Sequence, residues 1–432
     1  MSYIPNTDKD RAQMMATIGI TSIDELFDAI PRDMRFPILG LDSGISELEA
    51  LDEVKNLASE NQEYPSFLGG GVYNHFVPSV VDYLASRGEF VTPYTPYQPE
   101  ASQGTLRAHF EFQTMISELA GMDYAIVSHY DGATAFAESI MMAINFSRNK
   151  RKKIAIYNEI NPDFSSVAHT YIKHRGELAK DFFAIQDFSE IAAVAVQNPD
   201  YCGNILSPKE LEELADTAHN AGAKLIVITE PIFLGMFAPP AMADIVVMEG
   251  QPLGNYLSFG GPYLGVLCMK KEMVRVSTGR IVGKTADAQG RESYVLTLSA
   301  REQHIKREKA SSNICSNEAL MALRSAIYMA AMGKNGMRKV AELCYHKAHY
   351  LAAEIAKIDG YEVVNNKPFF KEFTIKCPKN IGEINEKLYE KYKINGGIKK
   401  SENEMIIAVT EKLTRANLDA FVTALREIVE GK

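Results

Sequence analysis

Between residues 153 and 269, short apolar segments alternate with segments whose apolar residues recur at helical spacing. The apolar segments are residues 153–159, 191–197, 224–230 and 244–248. Strands that are apolar along their whole length and are joined by helices predict a parallel sheet covered on both faces. Because ligands of such sheets bind at the carboxyl ends of the strands, we expect the chemistry near Asn198, Glu230 and Gly250-Gln251.

The segments on either side of this block predict three further parts of the chain. Two capping boxes, Ser22 to Glu25 and Ser46 to Glu49, indicate helices near the N-terminus. Residues 317–358 have the pattern of two long helices, and the segment after them alternates strand and helix twice. The predicted parts are an N-terminal helical arm, a large α/β domain, connecting helices and a small α+β domain, at residues 1–65, 66–316, 317–358 and 359–432.

Charge, cysteine spacing and hydropathy exclude several classes of protein. There are 46 Lys and Arg residues against 55 Asp and Glu residues, and the net charge of −9 argues against general nucleic-acid binding. The five cysteines are scattered and the nine histidines lack metal-binding spacing, so neither disulfides nor a metal site is predicted. The N-terminus has no signal segment, and the most apolar stretch, residues 225–248, is interrupted by Glu, Pro and Asp. We therefore expect a cytoplasmic protein that does not bind a membrane.

Residues 65–104 form a segment rich in glycine, proline and tyrosine. Prolines at positions 93, 96 and 99 exclude a helix and disfavour a strand. The segment is therefore predicted to be a loop, although Tyr94 and Tyr97 are unusual for a solvated linker. It either lines a functional site or is a rigid arm against a neighbouring subunit, and these two roles are compatible.

A turn of small residues, Asp131-Gly132-Ala133-Thr134, precedes a helical segment. The free N–H groups and the positive dipole end of a helix N-terminus can bind an anion such as a phosphate. Many ordinary capped helices begin in the same way, so the turn alone does not identify an anion site.

The predicted architecture suits the aspartate-aminotransferase fold, pyridoxal-phosphate fold type I, whose enzymes need three groups. A helix N-terminus holds the phosphate, an acid on a central strand pairs with the pyridinium nitrogen, and a lysine forms the Schiff base. Glu230 could be the acid, but residues 225–269 contain no lysine. Lys270 and Lys271 come after the next strand as surface charges, and Lys284 lies further along the chain. We therefore expect the fold without a covalently bound cofactor.

Seven segments are long or unusual enough to compare with known families. They are TPYQPEASQG (95–104), YDGATA (130–135), EGQPLG (249–254), SFGGPYLG (258–265), GRIVG (279–283), REQHIKREK (301–309) and SNIC (312–315). Together they resemble the P-protein family of the glycine cleavage system, and within it the alpha subunits of the split, two-gene form. The resemblance spans the whole chain.

This resemblance implies an oxidoreductase that takes glycine onto pyridoxal 5′-phosphate, releases CO2 and passes the aminomethyl group to the lipoyl disulfide of the H-protein. In the split form it implies that the beta subunit holds the cofactor and the Schiff-base lysine, in an α2β2 heterotetramer. The resemblance implies that the lysine position falls near Gln251, judged by counting back from Gly260-Gly261-Pro262, and Gln251 has no amine. The resemblance thus implies a chain that is inactive alone, with degenerate cofactor positions at Asp131, Gly132, Thr134, Glu230 and Gln251.

The resemblance also suggests which residues this chain brings to the beta subunit. The candidates to reach a shared site are Tyr97, Gln98 and Glu100 in the loop of residues 93–104. The candidates to meet an acidic H-protein or to brace the subunit contact are the basic residues Arg301, His304, Lys306 and Arg307. The alternative for this basic string is an exposed helix in which Glu302 and Glu308 balance the positive charges.

Two other interpretations remain open on the sequence. A self-sufficient pyridoxal-phosphate decarboxylase or lyase would use Lys284 or Lys270 as its amine. A non-catalytic regulatory relative would bind a pyridoxal enzyme without affecting its turnover. Co-purification with a lysine-bearing homologue, with activity in the mixture only, separates these interpretations from the alpha subunit of a split enzyme.

Overall fold

The computed structural model describes residues 5–35, 40–179 and 181–431, and the chain divides into two compact units, Met1–Glu63 and Tyr64–Lys432. The helices of the first unit, in chain order, are α1 (Asp8–Ile18), two 3-10 helices (Ile23–Phe27 and Arg32–Met34) and α2 (Glu47–Ser59). Both predicted capping boxes form, the one at Ser46 before α2 and the one at Ser22 before a 3-10 helix rather than an α-helix.

A seven-stranded sheet is the centre of the second unit. Its strands are β1 (Tyr124–Ala125), β2 (Lys153–Ile156), β3 (Glu177–Ala179), β4 (Ile191–Gln197), β5 (Lys224–Thr229), β6 (Ile245–Glu249) and β7 (Gly265–Met269). Their order across the sheet is β1-β7-β6-β5-β4-β2-β3. Five adjacent strands run parallel, namely β6, β5, β4, β2 and β3. Strand β7 is antiparallel to both of its neighbours, β6 and β1. The predicted mostly parallel sheet is confirmed.

Both faces of this sheet are covered, as the continuous apolar strands predict. The helices in this part of the chain are α3 (Ser79–Ala85), α4 (Gly88–Val91), α5 (Gln103–Ala120), α6 (Gly132–Phe146), α7 (Pro162–Ile172) and α8 (Pro208–Asn220). Along β5, Leu225 and Val227 belong to the core that contains residues of α5 and α8. Ile226 and Ile228 belong to the opposite core, which contains residues of α6 and α7. Because successive strand residues point to opposite faces and both faces are covered, β5 is buried from Leu225 to Thr229.

The remaining elements form a hairpin, a long helix and a second sheet. They are β8 (Ile281–Ala286), β9 (Glu292–Thr297), α9 (Gln303–Lys306), α10 (Ala319–Ile355), β10 (Glu362–Val363), β11 (Glu372–Lys376), α11 (Ile381–Glu390), β12 (Ile398–Lys399), β13 (Glu404–Ala408) and α12 (Arg415–Glu430). Strands β8 and β9 pair as an antiparallel hairpin. The second sheet is antiparallel in the order β10-β11-β13-β12, and α12 packs against α10 and α11.

Residues 317–358 contain α10, which consists of two helical segments separated by a break, in agreement with the two predicted helices. Helix α10 is interrupted at Gly333, where φ is 59° and ψ is −178°. A side chain at this φ is disfavoured, so glycine permits the break without ending the helix. Among the residues that the structure describes, no helix is long and apolar enough to span a membrane.

Candidate functional site

The polar residues predicted at the rim of the large sheet lie where its strands end, and they have different roles. Asn198 follows β4, and its side chain accepts a 2.8 Å hydrogen bond from the Leu206 N–H, while its carbonyl oxygen accepts one from Thr229. Asn198 therefore holds the loop that leaves β4. Glu230 and Gln251, which follow β5 and β6, belong instead to a cluster of buried polar groups.

The Glu230 carboxylate is paired with a cation that the sequence reasoning did not single out. Lys371, just before β11, is 2% exposed, and its Nζ lies 3.0 Å from Glu230 Oε1. The same ammonium lies 3.5 Å from the centre of the Tyr73 ring, at cation–π distance. The other Glu230 oxygen accepts a 2.7 Å hydrogen bond from the Phe233 N–H. Both carboxylate oxygens therefore have partners within this chain.

A hydrogen-bond relay continues from Lys371 to the far side of the cluster. The Lys371 ammonium has only hydrogens to offer, so it donates to His75 Nε2, which lies 2.9 Å away. His75 Nδ1 then carries the ring proton and donates it to Glu411 Oε2 over 2.6 Å. Burial, and next the Lys371 charge, lower the pKa of His75. Although burial opposes it, the hydrogen bond from His75 lowers the pKa of Glu411 to about 2.

Three groups of this cluster are close enough to suggest a metal site. The ligand atoms of His75, Cys344 and Glu411 all lie within 4.8 Å of one another. However, His75 and Glu411 already share a hydrogen bond, and the Lys371 ammonium adjoins the same ring. A fixed positive charge beside the ring repels a cation, so the donor set fits a hydrogen-bond relay better than a metal ion.

Gln251 is 1% exposed and its amide is fully engaged. Its oxygen accepts a 2.8 Å hydrogen bond from the Tyr73 N–H. Its nitrogen donates to the backbone oxygens of Tyr73 and Asn255, at 3.0 and 2.8 Å. Gln251 thus fastens the segment at Tyr73 to the turn after β6, and it offers no amine for an imine.

The start of α6, which the resemblance implies is a degenerate phosphate position, binds carboxyl groups of this chain. The Gly132 N–H donates to Glu249 Oε2 over 2.8 Å, and the Thr134 N–H donates to Asp131 Oδ1 over 2.7 Å. The Gln251 and Leu264 N–H groups donate to Glu249 Oε1. Burial raises the pKa of Glu249 to about 8, against the opposing effect of these three N–H groups. The start of this helix is therefore filled by the carboxyl group of Glu249, which at a pKa of about 8 is mostly protonated at pH 7.

A small cavity remains between these groups. Its volume is about 40 Å³, and it is lined by Gly71, Tyr73, Asn161, Phe164, Gln197, Pro199, Ile228, Thr229, Glu230, Glu249, Phe370, Lys371 and Glu372. A ligand pocket typically has roughly 300–1,000 Å³, whereas a water molecule takes about 30 Å³. Glu249 occupies the start of α6, Lys371 is paired with Glu230, and Gln251 stands at the position that the resemblance implies for the lysine. The residues present do not fit pyridoxal phosphate.

A second polar cluster lies under the loop of residues 93–104. Arg280, 5% exposed, donates from Nη2 to the Tyr97 hydroxyl over 3.0 Å and to the Cys315 carbonyl oxygen over 2.7 Å. Its Nε lies 3.8 Å from Glu302 Oε2. The Tyr97 ring makes an edge contact with His304, with 5.4 Å between the ring centroids. Arg280 therefore joins three of the segments that carry the P-protein resemblance.

The shared-site candidates are accessible on this cluster. Tyr97 is 47% exposed, and Gln98 and Glu100 are exposed beside it, at the start of the short 3-10 helix Pro99–Ala101. A cavity of about 220 Å³ lies under the same loop, lined in part by Tyr94, Arg280 and Asn317. The structure brings Tyr97 together with His304, while Arg280 was not recognised from the sequence as a candidate.

The basic string divides into one partly buried residue, Arg301, and three exposed ones, His304, Lys306 and Arg307. Arg301 donates to the Ser277 and Gly279 carbonyl oxygens, at 2.6 and 3.1 Å, so its guanidinium fastens the turn before β8. His304 and Arg307 are exposed. The helix of this string, α9, has four residues, and the Glu302 side chain before it is 9% exposed. The exposed helix of the alternative interpretation is thus limited to the four residues of α9, and Glu308 after it is exposed.

The two lysines of the self-sufficient interpretation lie on other elements. Lys284 is on the β8–β9 hairpin and forms an ion pair with Glu292. Lys270 follows β7, and its N–H donates to the Asp244 carbonyl oxygen. Lys371 lines the cavity of about 40 Å³. This cavity and the polar residues around it (Glu230, Glu249, Gln251 and Lys371) are called the cofactor slot below.

Comparison with known proteins gives a consistent result. The profile of the family described as "Glycine cleavage system P-protein" matches residues 1–425. A "Probable glycine dehydrogenase (decarboxylating) subunit 1" from Chloroherpeton thalassium is 45% identical over 99% of this chain and 100% of its own. The protein of the same name from Moorella thermoacetica is 44% identical, with the same coverage.

Solved structures agree in fold. A crystal structure of glycine decarboxylase (P-protein) of the glycine cleavage system, in inhibitor-bound form, has a TM-score of 0.90 and 39% identity, over 99% of this chain and 100% of that one. A sphingosine-1-phosphate lyase from Burkholderia pseudomallei has a TM-score of 0.65 at 15% identity, over 93% of this chain and 94% of that one. The predicted fold class, pyridoxal-phosphate fold type I, is confirmed.

Proposed function

The chain belongs to the glycine cleavage system P-protein family, and from this premise we propose that it is the alpha subunit of a two-chain glycine dehydrogenase (decarboxylating). A homologous beta subunit holds the pyridoxal phosphate and the Schiff-base lysine. Together, as an α2β2 heterotetramer, the two chains decarboxylate glycine and pass the aminomethyl group to the lipoyl group of the H-protein. The alpha chain is inactive alone.

The occupied cofactor slot is the observation that carries this proposal. Gln251 stands at the position implied for the lysine, and its amide is bonded to backbone on both sides. Glu249 fills the start of α6, and Lys371 is paired with Glu230. A chain with these three substitutes cannot form the imine on which glycine decarboxylation depends. The reactive site therefore belongs to the other chain.

The surface above Arg280 is the part of this chain that we assign to the shared site. Tyr97, Gln98 and Glu100 are exposed there, and Arg280 fixes the hydroxyl of Tyr97 from below. A pre-positioned aromatic and carboxylate can line a channel, exclude water and orient a substrate chain at low entropic cost. We assign His304 and Arg307 to contact with the beta subunit or the acidic H-protein, and Arg301 to support of the turn beneath them. Under this proposal, the helical arm (residues 1–65) is followed by the large α/β domain (66–316), the connecting helices (317–358) and the small α+β domain (359–432).

Reconstitution with the beta subunit tests the proposal. The alpha chain, the beta chain and their mixture are assayed for glycine–bicarbonate exchange, which reports the decarboxylation step alone. We expect exchange in the mixture only. Exchange by the alpha chain alone would support a self-sufficient enzyme, and a beta chain that is equally active with and without alpha would support a regulatory relative. Either result would overturn the proposal.

A double variant tests the assignment of the surface. Tyr97→Ala combined with Glu100→Ala should lower the exchange rate of the mixture while leaving assembly intact. The matched control is Tyr171→Ala with Glu177→Ala, which removes an exposed tyrosine of α7 and an exposed glutamate of β3. Exchange that is unchanged by the first pair would remove Tyr97 and Glu100 from the shared site.

A further inference from the structure

We propose that the cofactor slot of this chain is held closed by its own charged side chains, with Lys371 as the residue that keeps it shut. A lysine placed at position 251 would therefore not by itself restore pyridoxal phosphate binding. This inference rests on the proposed function in one respect, that the cofactor belongs to the partner chain. It goes further because it assigns the loss of the cofactor to a second residue, Lys371, and not only to the missing amine at position 251.

The two charged ends of the cofactor have counterparts in the slot. At one end, Glu249 places a carboxyl group against the N–H of Gly132, at the start of a 15-residue helix. At the other end, Lys371 places an ammonium against Glu230. The helix start and the acid that would bind the charged ends of the cofactor thus already bind side-chain groups of this chain.

Lys371 cannot leave the slot without breaking a network. Its ammonium contacts the Glu230 carboxylate, the Nε2 atom of His75 and the face of the Tyr73 ring. Tyr73 in turn donates its hydroxyl proton to Glu372 Oε2 over 2.7 Å. With 2% of the residue exposed, the ammonium has little water to replace these partners. Lys371 is therefore a fixed occupant of the slot.

The volume left over supports the same conclusion. The cavity of about 40 Å³ is bounded by Lys371, Glu230 and Glu249 together. Gln251 does not line this cavity, so its replacement changes the contacts with Tyr73 and Asn255 but removes none of these three groups. Removal of the Lys371 ammonium would both free space beside Glu230 and leave that carboxylate in need of a cation. A pyridinium nitrogen can supply this cation.

Pyridoxal 5′-phosphate itself is the probe for the test. Five full-length proteins are compared: the natural chain, Gln251→Lys, Lys371→Met, Gln251→Lys with Lys371→Met, and Gln251→Lys with Lys284→Met. The last variant is the matched control, because it removes a lysine from the exposed hairpin β8–β9. Each protein is incubated with the probe, reduced with borohydride and digested, so that peptide mass locates any linked pyridoxyl group. Circular dichroism and thermal melting report whether each protein is folded.

We expect linkage at position 251 in the variant that combines Gln251→Lys with Lys371→Met, at least tenfold above that in Gln251→Lys and in the matched control. The probe should also raise the melting temperature of this double variant. Stoichiometric linkage in Gln251→Lys alone would overturn the inference. So would a folded double variant that takes up no more probe than Gln251→Lys, or linkage at Lys371 in the natural chain.

If the double variant does not fold, a second opening keeps the inference testable. Addition of Glu230→Gln removes the carboxylate that Lys371→Met leaves unpaired, and the slot stays equally open. A triple variant that folds without linkage at position 251 counts against the inference. The outcomes remain separate from the proposed function, since a closed slot in the natural chain is compatible with an active or an inactive mixture.

Discussion

The cofactor slot and the surface around Tyr97 use their polar residues in opposite ways. In the slot, Lys371, Glu230 and Gln251 are bound to partners from the same chain, and little volume remains. On the surface, one buried guanidinium, Arg280, holds an exposed Tyr97 from below. The polar groups of the slot thus have all their partners within this chain, whereas the exposed groups of the surface can still bind a partner.

This difference has a physical origin. A buried carboxylate or helix N-terminus that loses its ligand is left as an unpaired charge or dipole, which is strongly destabilising. Glu230 and the start of α6 therefore need internal partners once no cofactor neutralises them. Exposed groups such as Gln98 and Glu100 are hydrated and carry no such requirement. A subunit that only lines the active site of its partner can thus retain the exposed residues around Tyr97 while its own cofactor slot is filled by side chains.

The largest expected effect is on the stability of the chain when the charge of Lys371 is removed. We expect Lys371→Met to lower the free energy of unfolding by about 3–5 kcal/mol, because it leaves Glu230 buried without its cation. Chemical denaturation measures this change. Lys284→Met, on the exposed hairpin, should change the free energy of unfolding by less than about 1 kcal/mol. Equal effects of the two variants would show that the slot is not held by this ion pair.

Replacement of Arg280 sharpens the other side of the comparison. We expect Arg280→Met to lower the glycine–bicarbonate exchange of the alpha–beta mixture by about 10- to 100-fold, since Tyr97 and the segment at Cys315 lose their common donor. Arg280→Lys keeps the charge but not the fork of donors, so its activity should be intermediate. Arg291→Met, whose residue lies exposed in the β8–β9 turn, is the control. An Arg280→Met chain that melts earlier but keeps full exchange would limit Arg280 to a structural role.

The sequence predicts the fold better than the site, and particular residues explain why. The continuous apolar segments of β4, β5 and β6 are local patterns, and they form parallel neighbours as expected. The absence of lysine near Gln251 is also a local property. Lys371, by contrast, lies 141 positions beyond Glu230 in a segment that reads as an ordinary strand. Only the tertiary fold brings it to the slot, so no pattern of spacing could have predicted it.

Arg280 illustrates the same limit on the surface. It lies within the GRIVG segment used for the resemblance, but its contact with Tyr97 joins positions 183 residues apart. Arg301 shows a related limit. A basic string predicts an exposed charge, whereas the guanidinium of Arg301 donates to the Ser277 and Gly279 carbonyl oxygens. A charge in the sequence does not reveal whether backbone acceptors lie within its reach.

The acid side of the pH dependence of stability offers a smaller test of the slot. The hydrogen bond from His75 holds the pKa of Glu411 at about 2, below its ordinary value of 4.5. Glu411 therefore stabilises the fold above pH 4.5, and this contribution is lost as the pH falls from 4.5 to about 2. We expect Glu411→Gln to flatten the fall of stability in this range by at most about 1.4 kcal/mol per pH unit. Glu386→Gln, on the exposed face of α11, should leave the curve unchanged. Parallel curves for all three proteins would show that Glu411 is not held ionised by the relay.

The smallest expected effects concern the basic residues. They distinguish residues that contact a partner, His304 and Arg307, from Arg301, which stabilises the chain. His304→Ala combined with Arg307→Ala should weaken binding of the beta subunit or the H-protein by about threefold to fivefold, since exposed charges contribute up to about 1 kcal/mol. The loss should shrink as salt is raised, because screening weakens charge pairs between exposed groups. Arg301→Ala should instead lower the melting temperature of the isolated chain, because it releases the Ser277 and Gly279 carbonyl oxygens. Titration calorimetry at two salt concentrations and thermal melting measure the two effects. A double variant that binds both partners with unchanged affinity would take His304 and Arg307 out of the contact surface and leave Tyr97 as its tested part.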